Sequence, residues 1–327
     1  GKGAWIDIDT PNIKVYSDQQ QLPDNVTTQG LTAEVDGSIY ISAQGLNNLG
    51  ADSILLGGTR NTAVNGTHLD VGAETVEVMS EAELNGSEIL LAAQDKVLIS
   101  EGAAVIASGN KTERNETINI VGDGALLRAS AADQIQLVRS GVTATKGELV
   151  IEQGAMVSAS GAMLLQGTQD TILHGAINVG TQQQAGSLYL GASQISLSND
   201  RNIDAGGLIL PTSMLEQFNL DELVLSSYGA LNIYNGVDLK LNNLKLEAAA
   251  INGIENDGSI ANINVEETLT LSNPHSSDVN FAGEVVNNNG TLNLNAKHIV
   301  FGSEAIDTNE EYISQNLALN GFSHINM

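Results

Sequence analysis

Cysteine is absent from these 327 residues, so disulfides and thiolate metal sites are excluded. Aromatic residues make up 3% and tryptophan occurs once, which leaves little from which to build a stacking platform for sugars or bases. Basic residues are also few. The 13 Lys+Arg stand against 39 Asp+Glu, a net charge of −26. A phosphate backbone needs a concentrated basic surface, so nucleic acid is excluded as a partner class, and an anionic bilayer surface would be repelled. No apolar run approaches the length of a membrane span, so no membrane insertion of this segment is expected. There is no charged-then-apolar leader, and the chain opens Gly1-Lys2-Gly3-Ala4 without an initiator methionine, which reads as a piece of a longer protein.

What is present is short apolar runs punctuated by turn residues. The hydrophobic fraction is 42%, and the 34 glycines supply corners. In Ser87–Gly109, SEILLAAQDKVLISEGAAVIASG, three runs are divided by Gln94-Asp95-Lys96 and Ser100-Glu101-Gly102; none is long enough for a useful helix. Its second half recurs. Val97–Gly109, VLISEGAAVIASG, matches Leu149–Gly161, LVIEQGAMVSASG, at an offset of 52 (149 minus 97). The differences fall largely on alternate positions, Ala104/Met156 and Ile106/Ser158, as expected when one strand face is fixed by packing and the other varies. A strand–corner–strand unit that returns along the chain marks a β-solenoid.

The same cadence runs through SIYISA at 38–43, SILLG at 53–57, Thr75–Met79, Glu148–Ile151, Ile260–Val265 and His298–Phe301. The sequence therefore predicts an all-β protein, a right-handed parallel β-helix with loop excursions, spanning 1–327 as a single continuous body. At about 20–25 residues per coil it makes roughly 12–15 coils, and at about 4.8 Å per coil a rod on the order of 60–70 Å long. Gln19–Gln29 with Pro23, and Asn110–Glu116, the most charged window, read as loops leaving the coils; Asn287-Asn288-Asn289-Gly290 reads as a turn. One short helix is expected near 213–218, with Ser213-Met214-Leu215-Glu216 as a capping box and Met214, Leu215 and Phe218 packed on the coils.

Catalytic chemistry finds little support. His68, His174, His275, His298 and His324 have no metal-like spacing and read as surface or corner residues, and no Gly-x-Ser-x-Gly elbow accompanies the serines. Asp7 with Asp9, and Glu81 with Glu83, are pairs that would project together, as the paired carboxylates of carbohydrate-cleaving β-helices do, but 39 acids make such pairs common on a solvated face. Trp5 reads as packed at a coil edge rather than as a ligand platform. Neither an EF-hand loop nor the Gly-Gly-x-Gly-x-Asp repeat is present for calcium. Asn25, Asn65, Asn85, Asn110, Asn115 and Asn289 open Asn-x-Ser/Thr triplets and read mostly as turn residues, with glycosylation a minor hypothesis. No catalytic residue, cofactor site or metal site is assigned.

Four stretches carry a resemblance: Ile54–Arg60 (ILLGGTR), Glu88–Ala93 (EILLAA), Gly122–Arg128 (GDGALLR), and Leu223–Tyr228 (LVLSSY) with Ile233-Tyr234. Together they resemble the rod region of filamentous haemagglutinin-like exoproteins of Gram-negative bacteria, the two-partner secretion adhesins. The Asn-Pro-Asn signatures of that family's secretion domain are not in this sequence, which places the resemblance downstream of the export signal. It implies a right-handed β-helix at the bacterial cell surface, outer-membrane associated or released. It also implies an outer-membrane secretion pore as partner during export, and an adhesive or stalk role that projects a distal binding or toxin part. Contact with a receptor or glycan on host or neighbouring bacterial cells belongs to that role. The family pattern has no catalytic residues to carry over. A polysaccharide-binding or polysaccharide-cleaving β-helix is the alternative.

Overall fold

The computed structural model describes residues 4–19, 32–35, 37–64, 66–109, 117–132, 136–254, 258–275, 289–302 and 316–327. They form an almost entirely β structure, dominated by parallel sheets, in two compact units, 1–188 and 189–327. The excursion expected at Asn110–Glu116, most of that at Gln19–Gln29, and half of the turn at 287–290 lie outside the described residues.

In unit 1 the chain visits three sheets in rotation. Ser53–Leu56, Thr75–Val78 and Glu83–Gly86 are followed by Glu88–Ala93, Lys96–Ile99 and Ala104–Ala107 in the same three sheets. Thr75 pairs with Lys96, so an undisturbed circuit takes 21 residues (96 minus 75), within the expected range. The repeat at offset 52 is a direct stack: Lys96–Ile99 lies parallel on Glu148–Ile151, and Ala104–Ala107 on Met156–Ala159. The conserved face is the buried one. Val105, Ala107, Val157 and Ala159 are sealed, whereas Ala104, Ile106, Met156 and Ser158 are half-buried. The corner glycines Gly102 (φ 77°) and Gly154 (φ 84°) both take the left-handed conformation that the turn requires. Columns such as Val76–Val97–Leu149 and Val78–Ile99–Ile151, all at 0% exposure, fill the interior. Burying one such side chain contributes about 1.5–3 kcal/mol.

Two detours add a feature the periodicity does not announce. Gly58–Ala63 and Gly66–Val71 form an antiparallel hairpin, which joins Thr117–Val121 and Gln136–Ser140 in a four-stranded lateral sheet. This sheet covers the outer face of the first sheet. Ile118, Ile120 and Leu69 are buried on its inner side, and Leu55, Leu90, Leu126 and Leu164, outward-pointing on the first sheet, are also buried. Two layers therefore share an apolar seam.

The expectation that all neighbouring strands run parallel fails at three places. Besides the hairpin, Thr32–Val35 is antiparallel to Ser38–Ser42, and Ala125–Ser130 runs antiparallel to both Glu88–Ala93 and Ala162–Gly167. The last case follows from the second detour. The chain passes through the lateral strand 117–121 and turns at Gly122-Asp123-Gly124, where both glycines have positive φ. It thereby re-enters the first sheet from the opposite end.

Unit 2 repeats the principle with three stacks of strands. Leu220–Ser227, Asn243–Glu247, Thr268–Ser272 and His298–Phe301 stack in one. Leu208–Pro211, Ile195–Ser198, Ala230–Tyr234, Ala250–Ile254 and Ala318–Asn320 stack in the second. Asp238–Leu241, Ile260–Val265, Gly290–Asn295 and Phe322–Asn326 stack in the third. These pairs are all parallel. Parallel, in-register strands place identical residues one above another, and asparagine exploits this. Asn320 donates to Asn252 at 3.1 Å and Asn252 to Asn232 at 3.3 Å; Asn326 donates to Asn293 at 2.7 Å and Asn293 to Asn262 at 2.8 Å. Such ladders satisfy amides that strand packing would otherwise strip of water.

The expected helix is displaced and shorter, Thr212–Leu215. Its N-cap is Pro211, which makes no side-chain cap bond, so Ser213-Met214-Leu215-Glu216 is not a capping box. Glu216 sits at the other end, as C-cap. Met214 and Leu215 are buried as expected; Phe218 is half-buried. A second helix, Ala43–Asn48, starts inside the stretch read as a strand and is capped by Ser42, whose hydroxyl accepts from the Gly45 amide at 2.9 Å. It closes an edge. Asn47 donates its Nδ2 to the Glu83 carbonyl and accepts from the Asn85 amide, both at 2.9 Å, and so stands in for a neighbouring strand beside Glu83–Gly86.

Candidate functional site

Among the described residues, buried polar side chains cluster in both units. In unit 1 the seam between the lateral and first sheets holds a chain of alternating charges. Arg60, on the hairpin, grips Asp7 through Nε at 2.8 Å and Nη2 at 2.6 Å, while its own amide donates to Asp7 Oδ2 at 2.9 Å. Its Nη1 donates to Ser53 Oγ and lies 3.8 Å from Glu88. Ser53 Oγ donates to Glu88 Oε2, and Glu88 Oε1 accepts from Arg128 Nε at 2.8 Å. Register sets this order, because Ser53, Glu88 and Ser130 occupy equivalent positions on successive strands. The side chains of Arg60 and Arg128 are 4% exposed. Burial alone would raise the Glu88 carboxyl, but Arg128, the Ser53 hydroxyl and Arg60 outweigh it and hold the group below its usual value. Arg139, the third of the chain's five arginines to be buried, ties the layers at their other end by donating to Gln166 at 2.8 Å.

The turn at the head of the second detour is locked by one carboxylate. Asp123 accepts from the Thr143 amide at 2.7 Å and hydroxyl at 2.6 Å, from the Ala144 amide at 2.9 Å, and from the Thr145 amide and hydroxyl, both at 3.1 Å. Burial pushes its pKa up, but these donors prevail and bring it to about 2. The folded pKa is depressed, so the stabilisation is present above the unfolded value and is lost as pH falls from about 4 towards 2. For this half-exposed group Asp123→Asn should cost about 1 kcal/mol near neutral pH. That gap should close in acid, read as Tm against pH.

In unit 2, His275 folds back over the outer face of the first stack. Its Nε2 is 2.9 Å from Ser226 Oγ, and its ring lies 4.5 Å from that of Tyr228. Ser226 pairs in register with Glu247, and Glu247 with Ser272. Lys245 Nζ neutralises Glu247 at 2.7 Å. No family model, curated protein or solved structure matches this chain. The cluster must therefore be judged on its geometry.

Serine, histidine and glutamate together suggest nucleophilic catalysis, but Ser226 is 0% exposed and Glu247 is spoken for by Lys245. The arrangement is a latch that pins 273–275 to the sheet, aided by Asn273 Nδ2 on the Asn316 carbonyl at 3.1 Å. Burial chiefly, with Lys245, lowers the His275 pKa, against an opposing pull from Glu247. A histidine depressed in the fold is destabilising once the unfolded chain binds a proton, so stability falls as pH drops below about 6.5. The Tm advantage of wild type over His275→Phe should narrow between about pH 7.5 and 5.

The remaining candidates do not converge. His68 lies on the lateral sheet, His174 on a corner, and His298 and His324 on exposed strand positions. Asp7 is taken by Arg60; Asp9, Glu81 and Glu83 are solvent-facing, and Glu81 adopts φ 64° as a corner residue. Among the described residues no three His, Asp or Glu side chains group as metal ligands. Trp5 is on the first sheet's outermost strand, 37% exposed, with its ring 4.7 Å from the Arg60 guanidinium. Of the triplet asparagines, Asn85 is an exposed strand residue, and Asn25, Asn65, Asn110 and Asn115 lie outside the described residues. An open cavity of about 410 Å³ in unit 2 is lined by Lys240, Leu241, Asn264, Val265, Glu266, Asn295 and Ala296. The sequence offered a signal for the ionic seam, charged residues embedded in apolar runs (EILLAA, ALLRAS), but none for its partners.

Proposed function

We propose that the chain is a right-handed parallel β-helix segment of a large bacterial surface exoprotein, acting as a non-catalytic stalk that projects a distal binding or toxin part. The observation that supports this most is the residue-for-residue stacking of apolar columns, such as Val78–Ile99–Ile151, with polar side chains used to lock layers together. A stalk needs stiffness, and hydrogen bonding of each strand to the strands above and below supplies it. The resemblance of 54–60, 88–93 and 122–128 to filamentous haemagglutinin-like rods points the same way, towards export through an outer-membrane pore and a place at the cell surface. Antibody raised against 1–327 should label intact cells of the source bacterium; signal appearing only after lysis would remove the surface assignment.

The cavity beside Asn264 and Asn295 favours a second reading, a polysaccharide-binding β-helix, since carboxamides beside the apolar side chains of Leu241 and Val265 suit a hydroxyl-bearing glycan. A glycan array decides between them. Binding that Asn295→Ala abolishes would establish the second reading; a silent array leaves the stalk.

A further inference from the structure

Asparagine followed by glycine occurs six times in the chain, at 65, 85, 235, 252, 289 and 320. Asn65 lies outside the described residues; the fold treats the other five pairs differently. Asn85-Gly86 and Asn252-Gly253 lie within the strands Glu83–Gly86 and Ala250–Ile254, Gly290 opens one strand and Asn320 closes another. Side chains are engaged there as well. Asn85 Nδ2 donates to Glu83 Oε1 at 2.7 Å, and Asn252 donates to Asn232 and accepts from Asn320. Among the described pairs only Asn235-Gly236 lies wholly in a turn, between Ala230–Tyr234 and Asp238–Leu241. Both residues are exposed, and Gly236 has φ 72°. The Val237 amide donates to the Tyr234 carbonyl at 3.4 Å and Asn199 Nδ2 to the Gly236 carbonyl at 2.9 Å, so the turn is held through its carbonyls. Neither the Asn235 carboxamide nor the Gly236 N–H takes a hydrogen bond among the described residues.

From this we infer that Asn235-Gly236 is a self-modifying site, where the asparagine converts without enzyme or cofactor to aspartate and isoaspartate. The Gly236 nitrogen attacks Asn235 Cγ. The N–Cγ bond forms, the Cγ–Nδ2 bond breaks, and ammonia leaves with the proton that the glycine amide gives up. Water then opens the five-membered imide at either carbonyl. One opening gives aspartate; the other gives isoaspartate, whose backbone runs through the former side chain. Three features select this pair. Glycine puts no Cβ in the path of attack. An unbonded amide loses its proton and approaches Cγ without breaking a ladder hydrogen bond. A turn also frees the asparagine from the extended conformation, in which strand pairing keeps the next nitrogen away from its side chain. Either product places a new carboxylate at the corner between the second and third stacks, just before Asp238, the group to which Asn264 donates at 3.0 Å. The inference depends on neither the stalk nor the glycan reading.

Peptide mapping of the folded 327-residue chain after incubation in mildly alkaline buffer tests it. Mass spectrometry with fragmentation that separates aspartate from isoaspartate gives the rate at each site. Conversion at 235 should outpace that at 85 and 252 by at least about tenfold, because the strand pairs react only after local opening. The rate at 235 should rise with pH, since the deprotonated amide is the nucleophile. In denaturant the three sites should converge, because the fold and not the neighbouring residues sets them apart. No conversion at 235, equal rates at the three sites in the folded chain, a difference that persists in denaturant, or a product free of isoaspartate would overturn the proposal.

Discussion

Glu88→Ala is expected to destabilise unit 1 by about 3–5 kcal/mol, the cost of stranding buried charge when one partner of a buried pair is removed. Glu88 is the acceptor on which both arginines converge. Arg128 reaches its Oε1, Arg60 approaches Oε2, and Ser53 donates to Oε2 as well. Without the carboxylate, Arg128, 3% exposed beneath the lateral sheet, loses the counter-charge that Glu88 supplies. Arg60 still has Asp7, so the loss should fall mostly on Arg128. Replacing Arg128 and Glu88 together by Leu and Met should therefore recover most of the stability, since an apolar pair of similar volume removes both the charge and its desolvation. The pH dependence provides a further check. The Glu88 carboxyl is held below its usual value, so its contribution is complete at neutral pH and is lost as pH falls below about 4.3. Denaturant unfolding of the single and double variants gives the comparison. Equal destabilisation of the two would mean that shape, not charge, is what the seam requires.

This seam shows which parts of the fold the sequence carries openly. The offset of 52 between Val97–Gly109 and Leu149–Gly161 is legible because stacked positions meet the same neighbours and so keep the same residues. The direction of a strand leaves no such trace. GALLRAS at 124–130 reads as apolar whichever way it runs, and its reversal depends on a detour built from 117–121 and 136–140. Burial on both faces also hides function in plain view. In the sequence Arg60 and Arg128 are only the last residues of ILLGGTR and GDGALLR, and the lateral sheet turns them into an internal lattice. The helix at 43–48 was obscured by Gly45 and two asparagines, poor helix formers tolerated because Asn47 is needed at the sheet edge. His275 lacked any spacing signal, because its partners Ser226 and Tyr228 come from the end of a strand and the residue after it, about fifty residues earlier, which only the stacking brings beside it.

The largest single-residue effect is expected at Gly57. It sits where the first sheet hands the chain to the hairpin and where the hairpin hands it back. Its amide donates to the Ile8 carbonyl at 2.7 Å, and its own carbonyl accepts from both Gly72 and Ala73 at 3.2 Å. Its φ is 99°, and a Cβ placed there would overlap the Ala92 carbonyl oxygen and press on Val76 Cγ2 at 2.9 Å. Relief would require moving the backbone of the next rung, which Ala92 shares with the antiparallel strand at Leu126. Gly57→Ala should therefore cost more than about 4 kcal/mol, in the range that marks a steric conflict in the core rather than a lost contact. Gly50→Ala provides the control. Gly50 also has positive φ, 60°, but nothing lies within 4 Å of its would-be Cβ, so only backbone strain of about 1 kcal/mol is expected. Equilibrium unfolding of the two variants side by side separates conformation from collision. If they lose stability equally, the tight junction between the first sheet and its lateral cover is not what holds the two layers in register.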